Sequence, residues 1–276
     1  MTRTFPKLYF PGRYLTEVKR PSKRYIVRGI LMEDFALWVI STIFLSNYPL
    51  AHFAGITALL ISFWAVYERG YMDNDFVAAT YEQRPTLSPN FQLAEVSGWV
   101  WQPWLWAITF GAAGTYLVRW PNPFYVYFAI WMLSLTATHI FFWVFNRLDK
   151  GTRVWMFAVL QLLRSCAFAL VVPVHPTAAT AIGAHVISKW IPYFLYRERP
   201  GDKWPEMPVY LMRLVFFVLL TAIVAVVDKG TAVVSVTTAV LAAWFLVRAR
   251  RELIKLFRGA RGIYQHGRDE GPPHNS

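Results

Sequence analysis

The chain has 276 residues, of which 56% are hydrophobic and only 16% are charged, and its formal net charge is +12. A soluble domain carries about a quarter of its residues as Asp, Glu, Lys or Arg, so this composition excludes an ordinary soluble domain and a disordered chain. The single cysteine, Cys166, excludes a disulfide scaffold.

Eight apolar runs follow a basic N-terminal segment, 1–28, and each is about the length of a transmembrane helix. We predict spans at Gly29–Tyr48, Leu50–Gly70, Gly98–Val118, Phe124–Phe145, Val154–Val172, Ala178–Tyr196, Val209–Val227 and Thr231–Val247. Alternating ten-residue segments are absent, so the runs favour an all-α polytopic transmembrane bundle, 29–258. The segment 259–276 is rich in Gly, Pro and charge, which predicts a disordered tail.

The basic residues indicate how this bundle is oriented. All but four of the 28 Lys and Arg residues lie in the two terminal segments and in the loops on the same side as the termini. The positive-inside rule therefore predicts cytoplasmic N- and C-termini, in a cell (inner) membrane protein that contacts membrane lipids. This distribution argues against nucleic acid as a partner, because the positive charge follows membrane topology.

The predicted cytoplasmic side also carries the long loops, 71–97 and 197–208, whereas the outer connections are short. Functional groups concentrate on loops, so we expect the site to face the cytoplasm. Ionisable residues within the spans are costly and usually face a bundle interior or a watery cavity. They lie in the inner half or near the midplane: Glu33, Asp34, Glu68, His139, Arg164, His185 and Lys189.

The first candidate motif leaves the second span and runs from Tyr67 to Thr86. Glu68, Asp75 and Glu82 are spaced by seven, so a continuing helix places the three carboxylates on one face. Oxygen ligands suit Mg²⁺, whose remaining positions are taken by water and substrate phosphate. We therefore take Asp75 and Glu82, with Asn74, as candidate metal ligands, and Tyr71 as a further candidate.

The second candidate motif leaves the sixth span. His185, Lys189, Tyr193 and Arg197 recur every four residues and form one polar stripe, which Pro192 distorts. Glu198 and Asp202 follow as an acidic pair. Basic groups deep in the membrane with carboxylates at the mouth suit a phosphorylated substrate whose lipid tail lies in the bilayer.

With these two segments the chain resembles the UbiA superfamily of intramembrane prenyltransferases, all-helical proteins with aspartate-rich motifs after the second and sixth helices. Asn74 and Asp75 match the start of the first family motif, Glu82 takes the place of its last aspartate, and Arg84-Pro85 follows. The sequence departs from the pattern at Ala78, which replaces the middle aspartate. The second motif matches less well, and eight spans replace the usual nine.

The resemblance implies an isoprenoid phosphate or diphosphate as substrate and Mg²⁺ as cofactor. By the same implication, Asp75, Glu82 and Lys189 are catalytic, and a prenyl group passes to an apolar or aromatic acceptor. The implied metal ligands are Asn74, Asp75, Glu82, Glu198 and Asp202. The implied phosphate-binding residues are Arg164, Lys189, Tyr193 and Arg197. Apart from these implied roles, Glu68, Tyr71 and His185 are further site candidates without an assigned role.

Three alternatives stay open at this point. Some relatives in the superfamily transfer phosphoribose from phosphoribosyl diphosphate to polyprenyl phosphate, and the run from Glu82 to Thr86 is similar to their motif. The loss of a carboxylate at Ala78 is compatible with a non-catalytic relative. A membrane transporter is the alternative from another class, although the spans lack the central breaks typical of one.

Overall fold

The computed structural model describes residues 9–21, 24–82, 85–91, 101–149, 151–198, 207–227, 229–231 and 233–269, and these residues form helices and loops without strands. A short π-helix, Leu15–Lys19, comes first in the chain. The first long helical segment, called the first helical segment below, begins as a π-helix, Ile26–Phe35, continues as α1, Ala36–Thr42, and ends in a 3-10 turn, Ile43–Leu45. The other helices are α2 (Pro49–Tyr81), α3 (Gln102–Arg119), α4 (Tyr125–Arg147), α5 (Arg153–Cys166, followed by a 3-10 turn, Ala167–Leu170), α6 (Pro176–Glu198), α7 (Val209–Val227) and α8 (Val236–Asp269). The predicted all-α class is confirmed.

Four segments of the described chain are long and apolar enough to cross a membrane. They are Pro49–Tyr81, Tyr125–Arg147, Arg153–Leu170 and Val209–Val227. The chain is therefore a membrane protein. Each of the eight predicted apolar runs overlaps one helical segment of the bundle.

Successive helices from α2 to α8 pack against one another, and α1 contacts both α6 and α8, so the bundle closes on itself. Small residues bring α2 and α3 close together. A Cβ atom on Gly55 would lie 2.5 Å from the side chain of Val118, and one on Gly114 would lie 2.8 Å from that of Leu59. Membrane helices commonly associate through such small residues, because they let the backbones approach.

Aromatic side chains fill the centre of the bundle. The buried indole of Trp38 meets that of Trp131 edge to face, at a centroid distance of 6.3 Å, and Phe63 and Phe168 pack on the same ring. The indole nitrogen of Trp131 donates a 2.9 Å hydrogen bond to the hydroxyl of Ser62. This core joins α1, α2 and α4 beneath the candidate motifs.

Two helices extend beyond the predicted spans. α2 continues to Tyr81, so the first part of the predicted loop 71–97 is helical. The backbone of α8 continues to Asp269, so residues 259–269 are helical where the composition predicted a disordered tail. Extending an existing helix is much easier than nucleating one, and the added residues follow directly from the preceding turns.

Candidate functional site

Two carboxylates of α2 hold the segment of residues 9–19, which we call the N-terminal strap. Glu68 is fully buried and accepts hydrogen bonds from the Tyr9 hydroxyl at 2.5 Å and from the backbone N–H groups of Gly12 at 2.8 Å and Leu15 at 2.5 Å. A buried carboxylate needs such donors. Glu68 therefore anchors the strap.

Asp75 holds the other end of the strap. Its buried carboxylate accepts a 2.5 Å hydrogen bond from the Tyr14 hydroxyl and further bonds from the hydroxyl and the backbone N–H of Ser88. The ammonium of Lys19 lies 3.8 Å away. Burial, and then the nearby Asp75 carboxylate, raises the pKa of Tyr14, so this phenol remains protonated and donates to Asp75.

Glu82 does not share the surroundings of Glu68 and Asp75, although the spacing of seven predicted one face. α2 ends at Tyr81, and Glu82 has an extended backbone conformation. Its carboxylate lies 3.5 Å from the guanidinium of Arg153 at the start of α5. The helix periodicity therefore holds for two of the three carboxylates and stops where the helix stops.

Glu82 and Arg153 line a cavity of about 210 Å³ that lies among α2, α4, α5, α6 and the strap. Its charged and amide side chains come from both candidate motifs, from the strap and from the start of α5: Lys19, Asn74, Glu82, Arg153 and Arg197. Its aromatic side chains are Tyr67, Tyr71, Phe142, Phe145, Phe157 and Tyr193. We call it the cationic cavity, because three basic side chains face one carboxylate.

Nearby groups hold the cations of this cavity in place. The guanidinium of Arg153 donates to the carbonyl of Leu148 at 3.0 Å, and that of Arg197 donates to the Tyr193 hydroxyl at 3.1 Å. The ammonium of Lys19 lies 4.7 Å from the centre of the Tyr71 ring. Burial lowers the pKa of Lys19, because an ammonium in an apolar surrounding loses hydration. An anionic ligand would restore that stabilisation.

A second group of charges, which we call the buried charge cluster, lies in the interior around the π-helix. Asp34 pairs with Arg164 at 2.8 Å, and Glu33 pairs with Lys189 at 3.0 Å. Other members surround Glu33: Arg248 at 3.3 Å, Arg213 at 3.6 Å and His185 at 4.0 Å. The cluster links α5, α6, α7 and α8 to the first helical segment.

The buried charge cluster contains three of the predicted site residues, Arg164, Lys189 and His185. The sequence placed Arg164 and Lys189 against substrate phosphate, whereas in the structure Asp34 and Glu33 hold them. His185, a further candidate without an assigned role, lies 3.7 Å from Asp34. None of the three lines the cationic cavity. Two adjacent buried carboxylates need nearby cations, and Arg164 and Lys189 supply them.

The implied Mg²⁺ ligands do not fit a metal site in this arrangement. The oxygens of Asp75 already accept from Tyr14 and Ser88, Glu82 faces Arg153, and Glu198 is exposed at the end of α6. Asp202 lies outside the described residues. Within the described part of the chain, three or more Asp, Glu, His or Cys side chains nowhere gather closely enough to hold a metal ion.

Five predicted residues do meet at the cationic cavity: Tyr71, Asn74, Glu82, Tyr193 and Arg197. Sequence reasoning missed Lys19 and Arg153, because both belong to the many basic residues of the cytoplasmic side. It also missed Arg213 and Arg248 as members of the buried charge cluster. The sequence did contain a signal for Arg213 and Arg248, because Glu33 and Asp34 are adjacent in an apolar run and two such carboxylates need cations nearby.

Comparisons with protein-family models, with curated proteins and with solved structures find no match to this chain.

Proposed function

We propose that the chain is an integral membrane transferase of the UbiA type that acts on a polyprenyl phosphate or diphosphate in the cationic cavity. In this proposal all eight helical segments cross the bilayer and the cavity opens to the cytoplasm, as the distribution of basic residues favours. One observation carries the proposal. Asn74 and Glu82 from the first motif line the same cavity as Tyr193 and Arg197 from the second.

The charges of the cavity support a phosphorylated head group as its ligand. Lys19, Arg153 and Arg197 come from three separate elements, and Glu82 is the only carboxylate that lines the cavity among the described residues. Arginine binds phosphate oxygens through paired N–H donors, and such charge-assisted hydrogen bonds are stronger than neutral ones. A doubly charged phosphate or diphosphate would balance the surplus of cations.

The aromatic walls support an isoprenoid as the remainder of the ligand. Tyr67 meets Phe142 edge to face at a centroid distance of 4.6 Å, and Phe157 stacks on Tyr193 at 4.0 Å. These rings offer apolar surface beside the cations. Their π faces also attract positive charge, and an allylic group acquires positive charge when it loses diphosphate.

The proposed reaction follows from this arrangement. The bond between the allylic carbon and the diphosphate oxygen breaks, and its electron pair leaves on the diphosphate. Lys19, Arg153 and Arg197 stabilise the charge that develops on that oxygen, which is where preorganised cations lower a barrier most. An apolar or aromatic acceptor then attacks the allylic carbon, and its displaced proton passes to solvent.

A second candidate reaction is phosphoribosyl transfer from phosphoribosyl diphosphate to polyprenyl phosphate. The observation that favours it is the position of Thr86, which lines the cationic cavity together with Glu82. A threonine hydroxyl both donates and accepts hydrogen bonds, so it suits a sugar phosphate. The same three cations would then neutralise the departing diphosphate.

A transfer assay with two labelled donors separates these reactions. Purified protein is incubated with labelled geranyl diphosphate and a lipid extract, or with labelled phosphoribosyl diphosphate and polyprenyl phosphate, and label is followed into the organic phase. Arg197→Gln should reduce transfer about tenfold or more, because a charge-assisted hydrogen bond is lost. Arg147→Gln is the matched control, since Arg147 is exposed and bonds to the carbonyl of Trp143. Absence of transfer from both donors by folded wild-type protein would refute the proposal.

A further inference from the structure

A second cavity lies between the start of the first helical segment and α8. This groove has a volume of about 710 Å³. Glu252 is the only carboxylate that lines it within the described chain. Five basic residues line it: Arg28, Arg248, Arg250, Arg251 and Lys255. Of the five, all but Arg248 are exposed. The groove shares no lining residue with the cationic cavity.

The residues of α8 in this groove fall on one helix face and change character along it. Trp244 and Val247 come first, and Arg251 and Lys255 follow at helical spacing on the same side. On the facing helix, Met32 and Arg28 are four residues apart and are both exposed. The eight residue steps from Val247 to Lys255 span about 12 Å, so the apolar end and the basic end of this face lie about two helical turns apart.

The inner wall of the groove carries further positive charge. Arg248 and Tyr210 line the groove and also contact Glu33 of the buried charge cluster, at 3.3 Å and 3.1 Å. The Nε atom of Arg248 is buried without a hydrogen-bond partner. In the buried charge cluster, the two carboxylates of Glu33 and Asp34 face four cations: Arg164, Lys189, Arg213 and Arg248. The cluster therefore carries more positive than negative charge and does not cancel the positive charge of the groove.

From these observations we infer that the groove is a binding site for one anionic phospholipid of the surrounding membrane. The phosphate lies against Arg28, Arg251 and Lys255, and an acyl chain lies along Met32, Trp244 and Val247. A free anion would meet the basic end only, whereas the apolar residues that line the groove match the hydrocarbon that adjoins a lipid phosphate. This site goes beyond the proposed transferase function and does not depend on it.

Thermal unfolding of the full chain in detergent tests the site. The probes are dioctanoyl phosphatidylglycerol, dioctanoyl phosphatidylcholine and inorganic phosphate, each titrated against wild type, Arg251→Gln and Lys255→Gln. Arg258→Gln is the matched control, because Arg258 is exposed on the same helix and does not line the groove. Phosphatidylglycerol should raise the unfolding temperature of wild type and Arg258→Gln. Each groove variant should need about fivefold more of that lipid for the same shift.

Each other outcome overturns a stated part of the inference. Equal titration curves for Arg251→Gln, Lys255→Gln and Arg258→Gln would refute the site. An equal shift with phosphatidylcholine would refute the requirement for an anionic head group. An equal shift with inorganic phosphate would refute the requirement for a lipid ligand. Binding of geranyl diphosphate to Arg251→Gln should match wild type, so failure of this site and failure of the transferase proposal are distinguishable.

Discussion

The guanidinium of Arg164 lies 2.8 Å from the carboxylate of Asp34, and both side chains are buried. The same guanidinium also donates a 3.2 Å hydrogen bond to the carbonyl of Gly29 and stacks 4.8 Å from the ring of Trp64. Arg164 thus connects α5 to the first helical segment and to α2. Its role in this protein is to hold the bundle together around two buried carboxylates.

Replacement of Arg164 by Met should lower the free energy of unfolding by about 3–5 kcal/mol, because it leaves the Asp34 carboxylate buried without its closest cation. Denaturant unfolding in detergent micelles measures this change. The double variant Asp34→Asn/Arg164→Met should recover part of the loss. Arg147→Met removes an exposed arginine and serves as the control. Equal stability of the Arg164 and Arg147 variants would contradict the role of the pair.

Replacement of Glu68 by Ala should release the N-terminal strap, because the backbone N–H groups of Gly12 and Leu15 lose their acceptor. Hydrogen exchange at these two amides should become at least several-fold faster, while exchange in the core of α4 stays unchanged. Asp73→Ala is the control, since Asp73 lies on the same helix as Glu68 and pairs with Arg69 at 2.5 Å. Unchanged protection of Gly12 and Leu15 in the Glu68 variant would show that the strap is held by other contacts.

The lowered pKa of Lys19 predicts a pH dependence of ligand binding. Burial holds this pKa below the ordinary value of 10.5, and a bound diphosphate should raise it, because the anion favours the charged ammonium. Binding should therefore take up a proton, and affinity should fall as the pH rises from the lowered pKa towards the ordinary one.

Calorimetry in buffers of different ionisation enthalpy measures this proton uptake. The titrations are made above about pH 8, where a phosphate with a second pKa near 6 stays fully ionised. Lys19→Met should abolish the uptake and weaken binding, whereas Arg147→Met should retain both. Proton release by wild type, or identical uptake by the Lys19 variant, would exclude Lys19 from the site.

Gly70 adjoins the wall of the cationic cavity, and a Cβ atom there would lie 2.2 Å from the ring of Phe142. Gly70→Ala should therefore force this ring to move and cost about 1–3 kcal/mol of stability, as overpacking of a core does. Gly259→Ala is a matched control, because nothing lies within 4 Å of a Cβ at that helical position. It should be neutral or stabilise the helix by up to about 1 kcal/mol. A stable Gly70 variant with unchanged ligand affinity would contradict the tight packing.

The long helices and part of the cationic cavity could be predicted from the sequence alone. Apolar run length located each of the eight long helical segments, because a spanning helix needs an uninterrupted apolar stretch. The short π-helix Leu15–Lys19 lies outside these runs and was not predicted. The four-residue repeat of α6 correctly joined Tyr193 to Arg197, which line one cavity. Those inferences depend only on local periodicity.

The partners of the charged residues were not predictable in the same way. Asp75 looked like a metal ligand, but Tyr14 and Ser88 hold it, and both belong to segments whose position depends on tertiary packing. Lys189 belongs to the same stripe as Tyr193, yet it lies one turn farther from the C-terminal end of α6, where Glu33 is its nearest anion. Periodicity gives the face of a helix, and it does not give the charge that another helix brings to that face.

Photocrosslinking tests the central claim, that both motif segments face one site for a lipid phosphate. A photoactivatable prenyl diphosphate is irradiated with the purified protein, and the labelled peptides are identified by mass spectrometry with excess geranyl diphosphate as competitor. We expect competed label in peptides from both segments, around residues 74–82 and 193–197, and strong loss of label in Arg197→Gln. Label confined to the groove residues 244–255, or label that the competitor does not reduce, would contradict the claim.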